Sequence, residues 1–300
     1  MYFYRIYGLK VKSEIEIPQA LEAEKIDEAD VEIVYGKMYD FMYEHAKMGY
    51  GTWTSKFDCA WFWREDSGHF MIEGGKKITV DVFADGNMLM VSSMILSACF
   101  ALIILQRNEL CLHGSCLENE GKAFAVCGES GAGKSTVTME LLKEKFGFVA
   151  DDTVRINAKG TDVLAYPTYP QQKLCRDMAK HYGLDLDSMI YIDEERDKFA
   201  LPRRDRFIEH ELPLAYIFAL KKSADIDEVQ VRTISGGDYI KSVIDNLYLS
   251  YTYKNIVGMP PEFMMQIINM SSKVKIYEIC RPVKGNSVQK IVSEITKMLQ

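Results

Sequence analysis

The 300-residue chain contains no C-x-x-C pair. Its seven cysteines lie scattered at positions 59, 99, 111, 116, 127, 175 and 280, an odd number, several of them inside apolar runs. That distribution argues against a disulfide framework or a zinc site, and for reduced structural thiols in a cytoplasmic protein. A basic excess is also missing. With 36 Lys+Arg against 43 Asp+Glu the formal charge is −7, so neither nucleic acid nor an anionic membrane is an expected partner without a local basic patch. The opening MYFYRIYGLKV lacks the ordered basic, apolar and small-residue regions of a secretory signal. The longest apolar run, residues 94–105, is short for a bilayer and reads as a buried core helix. Repeats and low-complexity tracts are absent too. What remains is an ordinary globular composition, 48% hydrophobic and 26% charged, which supplies a core and excludes wholesale disorder.

Two unlike regions follow one another. Residues 1–90 hold short aromatic and β-branched runs (2–9, 31–35, 60–63, 69–73, 78–83) punctuated by Gly, Asp and Asn, and predict a small antiparallel β domain. Its three tryptophans, Trp53, Trp61 and Trp63, suit a sheet core or an interface. Residues 88–106 read as a long apolar helix leading into a second domain, 91–300. There strands (123–127, 148–150, 214–221, 273–280) alternate with helices (134–145, 171–182, 239–251, 261–270, 287–299). The fold class is therefore α/β, with helices packed on a central sheet.

One stretch carries the chemistry. Gly128, Glu129, Ser130, Gly131, Ala132, Gly133, Lys134 and Ser135 fit G-x-x-x-x-G-K-[ST], after an apolar strand (AFAVC) and at the start of a helix (STVTMELLKEK). The glycines let successive N–H groups point at one anion, and the helix start adds its positive dipole end. Lys134 supplies a charge for the β- and γ-phosphates, and the Ser135 hydroxyl can ligate Mg²⁺; Thr136 completes the run. The motif predicts ATP as cofactor. Sixteen residues after Ser135, the strand FGFVA ends in Asp151 and Asp152. On an extended segment these two side chains point apart, so one suits Mg²⁺ and the other suits a general base for an attacking hydroxyl. A turn pair is the plainer alternative. His113 lies 15 residues before Gly128, on the strand that a hairpin near 119–121 returns to the same end of the sheet. There it can bond a phosphate or tune the base.

The order LHGS, GESGAGKST, FVADD resembles the kinase domain of HPr kinase/phosphorylase, tightly over residues 111–156. That family phosphorylates a protein serine and shares its nucleotide-binding core with PEP carboxykinases. The resemblance implies a PEP-carboxykinase-like phosphate-loop core in which Gly128–Ser135 cradle ATP and Asp151 is the general base. Asp152 becomes the Mg²⁺-side acid, and His113 the histidine beside the base. Two departures stand out. Thr136 occupies the place where HPr kinases usually carry Glu, and the Gly-rich segment tied to the protein substrate and to dephosphorylation has no counterpart. The layout as a whole (YRIYGLKV, LQRNELCLHGS, PLAYIFALKK, IYEICRP) looks closer to HPr-kinase-related lasso-peptide kinases. The implied partner is then a serine-bearing peptide or small protein, and a homo-oligomer is compatible.

Other candidates remain open. Lys198 follows the acidic run 193–197 and suits either a cation facing phosphoryl charge or a solvated loop. Arg203, Arg204 and Arg206 suit ATP phosphates, an acidic substrate or a neighbouring subunit, and equally a solvated face. Arg281 is a weaker candidate for the same roles, Gly236-Gly237 reads as a turn, and residues 166–170 as a rigid connecting loop or a pocket wall. A small-molecule kinase, a PEP-carboxykinase-like transfer, a phosphorylase and a non-catalytic ATP-sensing module stay as rival functions.

Overall fold

The computed structural model describes residues 1–47, 52–53, 58–193, 197–250 and 258–300. The first sheet is built from β1 (Tyr2–Ile6), β2 (Leu9–Ser13), β3 (Leu21–Glu22), β4 (Val31–Tyr35), β5 (Thr52–Trp53), β6 (Cys59–Arg64), β7 (Gly68–Glu73) and β8 (Lys77–Val82). Their order is β3-β1-β2-β4-β8-β7-β6-β5. Tyr7 and Gly8, both at positive φ, form the two-residue turn between β1 and β2. The expected all-antiparallel arrangement is corrected here: β4 runs parallel to both β2 and β8. Alternation along a strand says which face is buried, not which neighbour it meets, so the sequence pattern could not distinguish the two. Trp61 is buried against Met38, Met42 and Met71, Trp63 is half-buried, and the side chain of Trp53 lies outside the described residues.

A helix α1 (Asp40–Lys47) packs beside β6. The apolar helix α2 spans Met88–Gln106, with a π turn over Ile95–Cys99. It starts where the Asn87 side chain accepts the Leu89 N–H at 3.0 Å. Counted from Met88 it has 19 residues and mean hydropathy 2.5, enough by length and composition to cross a membrane, so the shorter 94–105 run understated it. Of its most apolar window, 78% is buried inside the protein. Its residues Leu96 and Phe100–Leu105 join Ile6 and Phe70 of the first sheet and Leu112, Ala125 and Val154 of the second in one continuous apolar cluster.

The second sheet contains β9 (Leu110–Leu112), β10 (Gly114–Asn119), β11 (Lys122–Gly128), β12 (Gly147–Ala150), β13 (Val154–Asn157) and β14 (Leu164–Tyr166). A three-stranded sheet of β15 (Gln171–Cys175), β16 (Ile190–Asp193) and β17 (Lys198–Pro202) lies apart from it, and β18 (Leu212–Ser223), β19 (Gln230–Ile234) and β20 (Lys275–Pro282) complete the second sheet. Strand β11 is buried on both faces, as its unbroken apolar character requires. Ala123, Ala125 and Cys127 face the cluster that holds α2. Phe124 and Val126 face a second cluster with α3 (Lys134–Lys143) and, from the chain's end, Ile291 and Ile295.

Parallel pairing of β11 with β18 and of β18 with β20 brings Gly128, Leu220 and Arg281 to one edge, the end of a parallel sheet where ligands bind. The remaining helices are α4 (Arg176–His181), α5 (Gly236–Asp245), α6 (Pro261–Ser271) and α7 (Val288–Leu299). The helix expected over 171–182 is strand β15 for its first half, because antiparallel pairing with β17 overrides local propensity. Gly236-Gly237 opens α5 and is not an isolated turn. The helix expected over 239–251 ends at Asp245, and its last position, 251, lies outside the described residues.

Candidate functional site

The phosphate loop leaves β11 at Gly128, whose φ is +140° and whose Cβ, were it present, would sit 2.4 Å from the Leu220 carbonyl oxygen. Only glycine fits against β18 there. Gly131 and Gly133 also have positive φ (+74° and +106°), and a Cβ there would meet only side-chain ends at ordinary contact distance, Lys222 Nζ at 3.5 Å and Arg281 Nε at 3.8 Å. The loop ends at Gly133, and α3 begins at Lys134. The Lys134 ammonium folds back on the carbonyls of Gly128 (2.7 Å) and Glu129 (3.2 Å), and burial draws its pKa below the usual lysine value.

A cleft of about 590 Å³ opens over this loop. Of the expected site residues, Ser130, Gly131, Gly133, Lys134, Ser135, Thr136, His113, Asp151, Asp152 and Lys198 all line it. Gly128, Glu129 and Ala132 do not. Gly128 is closed against β18, and Ala132 is buried in the apolar cluster beneath the loop.

Both aspartates reach the cleft, contrary to the opposed orientation expected of neighbours on an extended chain. The strand ends at Ala150, and Asp152 has φ +69°, a left-handed conformation that aspartate tolerates better than most residues. Asp151 is 4% exposed. Its Oδ1 accepts the Ser115 hydroxyl at 2.6 Å and its Oδ2 the Lys173 backbone N–H at 2.8 Å. Burial raises its pKa, and the Asp152 charge adds to the rise; the two hydrogen bonds and Lys198 oppose it.

Asp152 Oδ2 instead pairs with the Lys173 ammonium at 2.9 Å, with side chains 15% and 10% exposed. Burial alone would raise Asp152, but Lys173, Lys198 and His113 outweigh it and hold the carboxyl well below the usual range. Lys173 is held above its ordinary value: burial works against the ammonium, and Asp152 overcomes it. The doublet thus splits into a base-strengthened carboxyl and a firmly ionised one. Identical side chains separated in this way are a recurring arrangement in catalytic sites.

His113 follows β9. Its N–H donates to the Asn246 carbonyl at 2.8 Å, and its ring lies 6.3 Å from that of Tyr248. Lys198 starts β17 and reaches the cleft from the three-stranded sheet. The arginine cluster is elsewhere. Arg203 bonds Gln172 and the Met139 sulfur, Arg204 the carbonyls of Pro18 and Ala20, and Arg206 the carbonyl of Leu142. These arginines cross-link elements away from the cleft; Arg203 is half-buried, while Arg204 and Arg206 stay exposed to solvent. Residues 166–170 do not line the cleft either. Pro167 and Thr168 border a separate cavity of about 650 Å³ beside β3, lined by mixed charges.

The two residues that hold the aspartates were not among the expected site residues. Lys173 lies in the stretch 171–182 expected to be helical, and Ser115 within the LHGS string. The segment QQKLC has no apolar alternation that would mark it as a strand, and only its pairing with β17 places Lys173 beside the aspartates. Among the described residues no cluster of three or more His, Cys, Asp or Glu is placed to hold a metal, and Cys99, Cys111, Cys116 and Cys127 are buried free thiols.

Residues 105–177 match the family model described as the HPr Serine kinase C-terminal domain. Among curated proteins, the HPr kinase/phosphorylase of Nitrosomonas europaea is 36% identical over 74 residues, 25% of this chain and 22% of that protein. The HPr kinase/phosphorylase of Prosthecochloris aestuarii is 44% identical over 52 residues, 17% and 15% of the two chains. This chain therefore spans less than a quarter of the length of either relative in these alignments. The structure of the Hpr(Ser) kinase/phosphatase from Coxiella burnetii aligns with 63% of this chain and 95% of that one, at 13% identity and a TM-score of 0.33. At that level a likeness assigns neither fold nor function. The chain is HPr-kinase-like in the segment that carries the phosphate loop and the aspartate pair.

Proposed function

We propose that this protein is an ATP- and Mg²⁺-dependent kinase that transfers the γ-phosphoryl group to a serine or threonine hydroxyl of a peptide or small protein. The observation that carries this reading is the presence of two differently tuned carboxylates in the same cleft as the phosphate loop. The residues fit the nucleotide and the metal. The positive-φ glycines Gly131 and Gly133 carry no Cβ, which suits close backbone approach to phosphate oxygens. Asp152 Oδ1, which bonds no described residue, and the Ser135 hydroxyl are the hard oxygen donors that Mg²⁺ takes alongside phosphates. Bound there, Mg²⁺ would neutralise charge on the transferring phosphoryl group.

Asp151 would accept the proton of the acceptor hydroxyl as its oxygen bonds to phosphorus and the bond to ADP breaks. A carboxyl raised by burial is the better base, and one already oriented by Ser115 and Lys173 keeps lone pairs to spare. Lys134 and Lys198 would face the developing phosphoryl charge, with His113 beside the doublet. The PEP-carboxykinase-like core would be the 91–300 domain. The 1–90 β domain and the chain beyond about residue 160 would select the acceptor, because the core has few other elements free to do so. Buried reduced thiols suit a cytoplasmic enzyme.

The test is incubation with Mg-ATP and acceptors (HPr, peptides ending in serine, free serine), read by mass spectrometry for an added phosphoryl group. Asp151→Asn is expected to retain ATP binding and lose on the order of 10²–10⁴-fold in turnover; unaltered turnover sinks the assignment. The raised Asp151 carboxyl also favours a second reading, the reverse phosphorylase reaction, in which it acts as the acid. Incubating phosphorylated product with inorganic phosphate tests it: the phosphoryl group should pass to phosphate and appear as pyrophosphate as the serine hydroxyl is regenerated.

A further inference from the structure

The phosphate loop is tied to the sheet by a residue about 150 positions away. The Arg281 guanidinium, at the end of β20, donates from Nε to the Ala132 carbonyl at 2.9 Å and from Nη2 to the Gly131 carbonyl at 3.2 Å. Its Nη1 donates to the Pro282 carbonyl at 3.0 Å. Two consecutive loop carbonyls are thus gripped by one planar fork, which itself stands on a strand paired along its length with β18.

A trans peptide is planar, with its C=O and N–H pointing in opposite directions. Holding the Ala132 carbonyl against Arg281 therefore turns the Gly133 N–H the other way, and this N–H bonds no acceptor among the described residues. The preceding N–H, of Ala132, donates to the Glu129 carbonyl at 3.1 Å and keeps the turn closed. Gripping both carbonyls also withdraws two negative dipole ends from the space an anion would enter. What glycine supplies at 133 is the backbone conformation, φ +106°, since a Cβ there would only make ordinary contact with Arg281 Nε at 3.8 Å.

We propose that Arg281 is a positioning residue that presets the phosphate loop for a polyphosphate by clasping the Gly131 and Ala132 carbonyls. The inference rests on the reading that this loop binds nucleotide phosphates. It assigns Arg281 a job on the loop backbone, which no motif in the sequence records. A lysine cannot substitute fully, because one ammonium does not reproduce the planar two-carbonyl grip.

Isothermal titration of the full-length protein, Arg281→Met and Arg281→Lys with Mg-ATP, Mg-ADP, tripolyphosphate and adenosine tests the proposal. Loss of the clasp is expected to weaken all three phosphate ligands by about tenfold in Arg281→Met, and by a smaller factor in Arg281→Lys. Adenosine affinity stays as it was. Should Arg281→Met fail to fold, Arg281→Lys, which keeps charge and bulk, carries the comparison. If the unaltered chain binds Mg-ATP and the folded variants match it, Arg281 has no positioning role and the proposal falls alone. A loss that includes adenosine equally also overturns it, since the defect is then general. If the unaltered chain binds neither ATP nor tripolyphosphate, the nucleotide reading fails and this inference with it.

Discussion

Replacing Lys173 with methionine removes the ammonium from Asp152 while leaving the backbone N–H that holds Asp151. Across 2.9 Å, the attraction at an effective dielectric near 20 is about 6 kcal/mol. Desolvating the ammonium in the parent offsets part of this. Lys198 and His113 also act on Asp152, so the carboxylate left behind is not wholly uncompensated. The expected net cost of Lys173→Met is about 3 kcal/mol, at the lower end for breaking one side of a buried pair. Asp152→Asn should also destabilise, by stranding the ammonium. The double variant should cost less than the sum of the two by about 2 kcal/mol. Urea unfolding of the four proteins, with equal slopes as the check for two-state behaviour, measures the cycle. Single costs below about 1 kcal/mol that simply add would show that the pair does not hold Asp152 ionised, and the divided roles of the two aspartates would lose their physical basis.

Further expectations concern the frame around the site. The Glu109–Arg155 pair is buried, with bonds of 2.6 and 3.1 Å, and Arg155 also donates to the Tyr7 carbonyl and lies over the Tyr166 ring. Glu109→Gln should therefore cost about 3–5 kcal/mol in urea unfolding, and a cost under about 1 kcal/mol would refute the clamp. Glu140 of α3 accepts from Lys143 on the same helix and links it to Tyr182 after α4 and to Gln289 on α7. Burial works to raise its carboxyl, but these partners depress it from 4.5 to about 2. A depressed acid contributes stability that is present above its unfolded value and is lost as pH falls through the folded one. The melting-temperature gap between the parent and Glu140→Gln should accordingly be full above pH 4.5 and close as pH falls toward 2; a gap independent of pH would refute this.

Much of the site was legible because its parts are close in sequence. Gly128–Ser135 and Asp151–Asp152 belong to one strand–loop–helix–strand unit, and an apolar strand feeding glycines and then a helix has few other uses. The hairpin that brings His113 back was readable for the same reason, through the Glu120-Gly121 turn at positive φ. Local pattern misjudged the rest. The residues 171–175 read as helical until pairing with β17 made them a strand, and Lys173 went unnoticed with them. Parallel neighbours in the first sheet, and the shared direction of the two aspartates, likewise depend on choices that apolar alternation does not encode.

By itself, then, the chain's order of residues determined that a glycine-rich strand–loop–helix turn of the phosphate-loop pattern forms and that two carboxylates follow the next strand. Those are short-range properties of glycine, helix starts and strand ends. Only the folded molecule decided what those carboxylates are. A lysine 21 residues away ionises one, a serine 36 residues before the other orients it, and an arginine on the last strand grips the loop. The physical reason is that electrostatics and hydrogen bonds act through space over a few ångströms, and which distant side chains arrive within that range is set by sheet pairing.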